Sequence, residues 1–377
     1  NARFSLTSGS LSNQQGTLRH VGDQGFSVSL ARAGQAGGNF ITNGVFALDV
    51  GSWINTSMLQ AQRIDLKVGT FTQTATGKLL SVEDIVATGD TWVNDGSIET
   101  DGELSLILTG KYSGSGALKS QGDMTLRAAS AELLQGAQLR AGGQGDIQVS
   151  GDLTNIGQLS AAGDLRLKSA SLANLGTLGA AQALRVEAPG IVNWGGLIFS
   201  GAEMELRGDS LTNLNGDIFS LDSLSIAKDD TLAQMSLLEN RSGSIESGSD
   251  MTLRAASLIN RKEAFTLGRT QTSGRISVVC YDCGGDHHNV DYVATERFET
   301  QVSEDSAASR IHSGGNLNIR GGAIANRYSS LSATGNIDIV GASLENTGAA
   351  SGIIERVRRF NTGRITDGTD ERFRDAH

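Results

Sequence analysis

Two cysteines and two histidines fall within nine residues of one another, as Cys280, Cys283, His287 and His288. Thiolate and imidazole together suit a tetrahedral Zn2+, although this spacing is not a standard zinc pattern, and two thiols three positions apart can also close a small disulfide. A second reactive group is acidic: Glu103, Asp123, Asp146, Asp164 and Glu203 recur just ahead of an apolar pair. Stacked repeats would line such carboxylates along one face, and paired carboxylates cleave glycosidic bonds when aromatic subsites hold the sugar. Aromatic residues, however, make up only 5% of the chain. The acidic position also follows a turn glycine, where Asp favours local backbone hydrogen bonds, and it relaxes to Ala183, Ser223, Asn316 and Asn336. The row therefore reads as a turn preference, and the chain as not an enzyme. The calcium-binding G-G-x-G-x-D nonapeptide is absent. Four of the five His, at 287, 288, 312 and 377, lie in or beyond one irregular stretch, so no Ser-His-Asp set can be argued. No cofactor and no metal along the repeats are expected.

The elements that would position these groups are set by a repeat. An apolar residue, any residue, then Asn recurs at Leu153 to Asn155, Leu172 to Asn174, Ile191 to Asn193, Leu211 to Asn213, Leu238 to Asn240, Leu258 to Asn260, Ile324 to Asn326 and Leu344 to Asn346, mostly nineteen or twenty residues apart. In constant phase to it runs a Gly or small turn followed by apolar, polar, apolar, as in Gly163 to Leu167 and Gly335 to Ile339. Each unit reads as three short alternating strands, for example Leu165 and Leu167, then Leu172, then Leu178, with Gly163 and Gly176 at two corners. Strands this short must bond to their equivalents one coil above and below, about 4.8 Å away. The predicted fold is all-β, a right-handed parallel β-helix with three parallel sheets and coils of about 20 residues. Inward residues such as Leu165 and Leu184 then stack, and Asn155, Asn174, Asn193 and Asn213 form an amide ladder along the axis. Asn13, Asn43, Asn55 and Asn94 carry looser pieces of the pattern, with Trp53 and Trp92 expected as core filler where Leu stands elsewhere.

Composition agrees with that architecture: 49 Gly, one Pro and few large aromatics suit aliphatic ladders better than a globular core. A formal charge of −10 would be repelled by a phosphate backbone, which argues against nucleic-acid binding. No stretch of eighteen apolar residues appears, and Asn1 to Ser10 lack the features of a signal peptide. The chain begins abruptly inside the repeat pattern, so it is expected to be a fragment from the middle of a longer protein.

The rhythm Leu153, Asn155, Gly157, Leu159, Ala161, Gly163, Asp164, Leu165, Leu167 resembles the haemagglutinin repeats of two-partner-secreted exoproteins, the filamentous haemagglutinins and the contact-dependent growth inhibition effectors of the CdiA type. The resemblance covers nearly the whole chain. It implies a secreted filament on a bacterial surface, an outer-membrane transporter as partner during export, and an outer-membrane receptor on a neighbouring cell. Alternatives are an adhesin for host or biofilm surfaces and a β-helical polysaccharide-degrading enzyme. A monomer is expected. In the oxidising surroundings that this resemblance implies, the Cys280–Cys283 disulfide is favoured over a metal site.

The repeat defines residues 1–260, lapses over 261–313 and resumes over 314–352, leaving an irregular tail, 353–377, as the start of a second excursion. Within the insertion, Arg275 to Tyr281 and Asn289 to Thr295 alternate as strands around Gly284 and Gly285, which predicts a projecting β-hairpin. Arg275, Tyr281, Asp286, His287, His288, Asp291 and Tyr292 are its candidate recognition residues. A loop on a rigid scaffold often carries function, and equally can lie along the helix as a cover.

Overall fold

The computed structural model describes residues 2–32, 37–281 and 289–376. They form two compact units, 1–261 with 308–346, and 262–307 with 347–377. The first is a parallel β-solenoid. A representative coil contributes Leu165–Lys168, Ser171–Asn174 and Thr177–Ala180, each paired in parallel with its equivalents in the adjacent coils. Three strand columns per coil thus form as the spacing predicts. They make two sheets in this unit rather than three, of 23 and 14 strands among the described residues. The joining occurs because Val45–Asn55, Arg63–Gln73, Ile85–Asn94, Met251–Arg261 and Leu317–Arg327 stay extended around the corner where other coils break.

Alternation drives this fold. Alternate residues of the solenoid strands point inward, and Leu165, Leu184, Met204 and Leu224 stack at one such position, nearly inaccessible to solvent. Where the early coils lack Leu, aromatics fill the same column: Trp53 pairs in register with Phe71, Phe71 with Trp92, and Trp92 with Tyr112, all buried. The Phe71 and Trp92 rings lie 4.4 Å apart, and Trp92 Nε1 donates to the Val68 carbonyl at 3.0 Å, so both tryptophans are core.

The asparagines form one unbroken amide ladder. Each Nδ2 donates to the Oδ1 of the next coil, from Asn155 through Asn174, Asn193, Asn213, Asn240, Asn260 and Asn326 to Asn346, at 2.8–2.9 Å. The same Nδ2 groups also bond turn carbonyls, as Asn213 does to Gly216 at 2.8 Å and Ser244 at 3.1 Å. These bonds satisfy polar groups that water cannot reach. Glycine follows closely because the ladder requires it. A Cβ on Gly216 would sit 2.5 Å from Asn193 Nδ2 and 2.9 Å from Asn213 Oδ1. The ladder starts where the preceding coil offers Leu133, which cannot donate, and Asn155 Oδ1 is left buried without a partner among the described residues.

The solenoid resumes without a register error. Asn260 pairs with Asn326 although sixty-six residues separate them in sequence.

The second unit is an antiparallel sheet. Phe265–Tyr281 and Val290–Asp305 form the predicted hairpin, with strands longer than expected and register shifts near Thr266, Gln271 and Val278. The tail corrects the sequence reading: Ile353–Asn361 is a regular strand that pairs antiparallel to Val290–Asp305, and a short helix, Asp367–Ala376, follows.

Candidate recognition site

The three-stranded sheet holds four of the seven candidate recognition residues, Arg275, Tyr281, Asp291 and Tyr292, together with a strand from the tail. Arg275 lies opposite Thr295, and Tyr281 opposite Val290. Asp291 takes Asn361 Nδ2 at 2.5 Å and Arg359 Nη2 at 2.8 Å, and these two donors hold its carboxyl below the ordinary value. Tyr292 stacks on Phe360 with ring centroids 5.3 Å apart. Around these, Glu296 accepts from Arg358 at 2.8 Å, and the Arg356 guanidinium lies 5.3 Å from the Phe298 ring centre. The 353–361 strand is exposed along its whole length and brings three arginines and Phe360 to the sheet. Its alternation of Ile354, Arg356, Arg358 and Phe360 was the available signal. Its partner could not be read, because the pairing spans some seventy positions. Cys280 is the penultimate residue of the first hairpin strand, whereas Cys283, Asp286, His287 and His288 lie outside the described residues. The disulfide therefore stays an expectation.

The acidic row resolves into two kinds of residue. Asp84, Asp123, Asp164 and Asp250 each accept through Oδ1 the backbone N–H one coil on, from Glu103 at 3.0 Å, Gln144 at 2.7 Å, Ala183 at 3.1 Å and Asn316 at 2.7 Å. These carboxylates cap turns, as their position after a turn residue predicts. Asp146 does not belong to that row. It sits on a strand opposite Thr125 and Arg166, and pairs with Arg127 at 3.2 Å. Register, rather than distance from the preceding glycine, decides this.

An ionic cluster that the repeat search overlooked lies further along the same solenoid. Arg185 reaches Glu187 at 2.7 Å, Glu205 at 2.5 Å and both oxygens of Asp230 at 2.8 Å. The nearly buried Arg207 bonds Glu205 at 2.8 Å and the Ser225 carbonyl at 2.9 Å. Asp230 comes from a stretch that lengthens the Asn213-to-Asn240 interval to twenty-seven residues, and Asp229 folds that stretch locally by accepting from Thr231 Oγ1 at 2.6 Å. Arg185 holds Asp230 and Glu187 below their ordinary carboxylate values. Groups so depressed contribute above the unfolded value and lose that contribution as pH falls through the folded one. Trypsin cleavage after Lys228 should therefore be slow at neutral pH and faster in Asp230→Asn. Protection of the 228–234 amides relative to the unstructured chain at the same pH should fall as pH drops below the ordinary carboxylate range, and an unchanged cleavage rate in the variant would show the pairing to be idle.

A β-solenoid with stacked Asn and Leu and an antiparallel excursion defines a class of filament-forming repeat proteins. The haemagglutinin-repeat model matches residues 125–234, 231–277 and 289–370, and the chain belongs to that family. It is 25% identical over 343 residues, 88% of its length, to the deoxyribonuclease CdiA of Dickeya dadantii (strain 3937), of which that stretch is 9%. It is 30% identical over 337 residues, 78% of its length, to the tRNA nuclease CdiA of Yersinia mollaretii, of which it is 10%. A toxin CdiA of Escherichia coli is 27% identical over 255 residues, covering 60% of this chain and 8% of that protein. The chain thus spans about a tenth of the length of these relatives. No solved structure matches it. The chain is a filament segment of the two-partner exoprotein kind.

Proposed function

We propose that this segment is a non-catalytic stalk, exported by an outer-membrane transporter to the bacterial surface, whose antiparallel sheet recognises a receptor on a neighbouring cell. One observation carries the reading: the solenoid keeps register across the insertion, so the 262–307 segment interrupts the chain without serving the coil. Its exposed arginines, Tyr292 and Phe360 are the residue types enriched where proteins bind one another. The nuclease and toxin activities in the relatives' names are not carried over to these residues.

Joining Arg261 to Ala308 and ending the chain at Asn346 tests the proposal. The variant should keep the β-rich circular dichroism of the solenoid and lose binding to target cells. Binding at the parental level would move recognition to the solenoid faces and favour adhesion through the repeats.

A further inference from the structure

One column of the solenoid breaks the rule that its outward positions are polar. The residue that follows the ladder position, held by Leu133 in the first of these coils and by an asparagine in the rest, is Leu134, Ile156, Leu175, Trp194 and Leu214 on five successive coils, placed side by side by the register. Leu134, Ile156 and Leu175 are each close to 40% exposed, and Trp194 is 58% exposed. At strand spacing the five side chains make a straight apolar ridge about 19 Å long. More than a third of each of Leu134, Ile156 and Leu175, and more than half of Trp194, stays open to water in the folded coil, and contiguous exposed apolar surface of this kind marks a contact site.

The ends of the column indicate the occupant. Toward the N-terminus it continues as Ser115, Asp95 and Thr74, and toward the C-terminus as Arg241, Arg261 and Arg327. A ridge with one knob per coil can lie against an inverted copy of itself, because both carry the same spacing. With Leu175 on a two-fold axis, Ile156 meets the mate's Trp194, Leu134 meets Leu214, Ser115 meets Arg241 and Asp95 meets Arg261. Arg241 and Arg261 share the single carboxylate of Glu239, so this end of the column carries surplus positive charge, and the parallel arrangement would set it against itself, which is unfavourable. From this charge pattern we infer that two copies of the chain associate side by side and antiparallel through the 134–214 ridge. The ridge is smaller than the roughly 800 Å² per partner of a stable complex, so the association is weak.

Cysteine trapping tests both contact and orientation, in a Cys280→Ser, Cys283→Ser background. Leu175→Cys on the axis should crosslink to itself at least tenfold faster than Thr154→Cys. Leu134→Cys should crosslink with Leu214→Cys but not with itself. Trp194→Glu should weaken concentration-dependent dimerisation in sedimentation at least tenfold while leaving circular dichroism unchanged. Efficient self-crosslinking of Leu134→Cys would overturn the antiparallel arrangement. Monomers at every concentration, with crosslinking no faster than for Thr154→Cys, would overturn the association and leave the ridge to a different partner.

Discussion

Asn213→Ala is expected to cost about 3 kcal/mol, because one substitution removes the bond from Asn193 and the donors to Asn240, Gly216 and Ser244, all of them in or beside the buried ladder. Each acceptor left without a donor keeps its desolvation penalty while water stays excluded. Thr212, one position earlier, faces outward and only partly shielded, and Thr212→Ala should change stability by less than about 0.5 kcal/mol. Urea denaturation followed by circular dichroism reads both. Coils contact only their neighbours, so hydrogen exchange should show the loss concentrated in the coils around 190–245. Equal costs for the two variants would mean that the ladder is incidental to stability.

The second large effect belongs to a residue with no side chain. Gly216→Ala would place a methyl group among Asn193 Nδ2, Asn213 Oδ1 and the Gly196 carbonyl, all within 3 Å. Either the amides shift and lose their bonds or the coil spacing widens, and overpacking of this kind costs about 2–3 kcal/mol. Two features of the repeat therefore share one cause, since the amides can stack only where the turn beside them is vacant. The Asn213→Ala, Gly216→Ala double variant should cost less than the sum of its parts, because the methyl group then enters space that the missing amide has left. Strict additivity in urea denaturation would separate the two effects.

The solenoid was legible because its physics is local in the repeat. Leu165, Asn174 and Gly176 recur with a period that states which residues are neighbours in space, even though nothing is near in sequence. The early coils were harder because other residues replace the rule. Gln73 stands at the ladder position and accepts from Asn55 at 2.7 Å, while Asn94 donates at 3.3 Å to the hydroxyl of Tyr112 from the neighbouring aromatic column, acceptors that a search for Asn would miss. Asp146 was misplaced for a similar reason, since Gly145 is buried as the first strand residue rather than exposed in a turn. In the candidate site the hairpin could be read from alternation, but the pairing of Arg358 with Glu296 and of Arg359 with Asp291 joins segments more than sixty residues apart. No period links them, so only the three-dimensional structure reveals that the tail completes the sheet.

The rung from Asn260 to Asn326 has a consequence for how such chains change over time. The two residues are hydrogen-bonded neighbours, and Ser309 Oγ bonds both the Arg261 carbonyl at 2.5 Å and the Asn240 carbonyl at 3.1 Å, so the points where the chain leaves and re-enters the solenoid lie within one turn of each other. Any segment whose own ends are that close can be grafted at this joint with little added loop entropy, because that cost grows only slowly with length. The joint is an exchangeable socket. An excursion can be replaced wholesale there while the coils on either side stay the same, and with it, on the recognition role proposed above, the binding specificity.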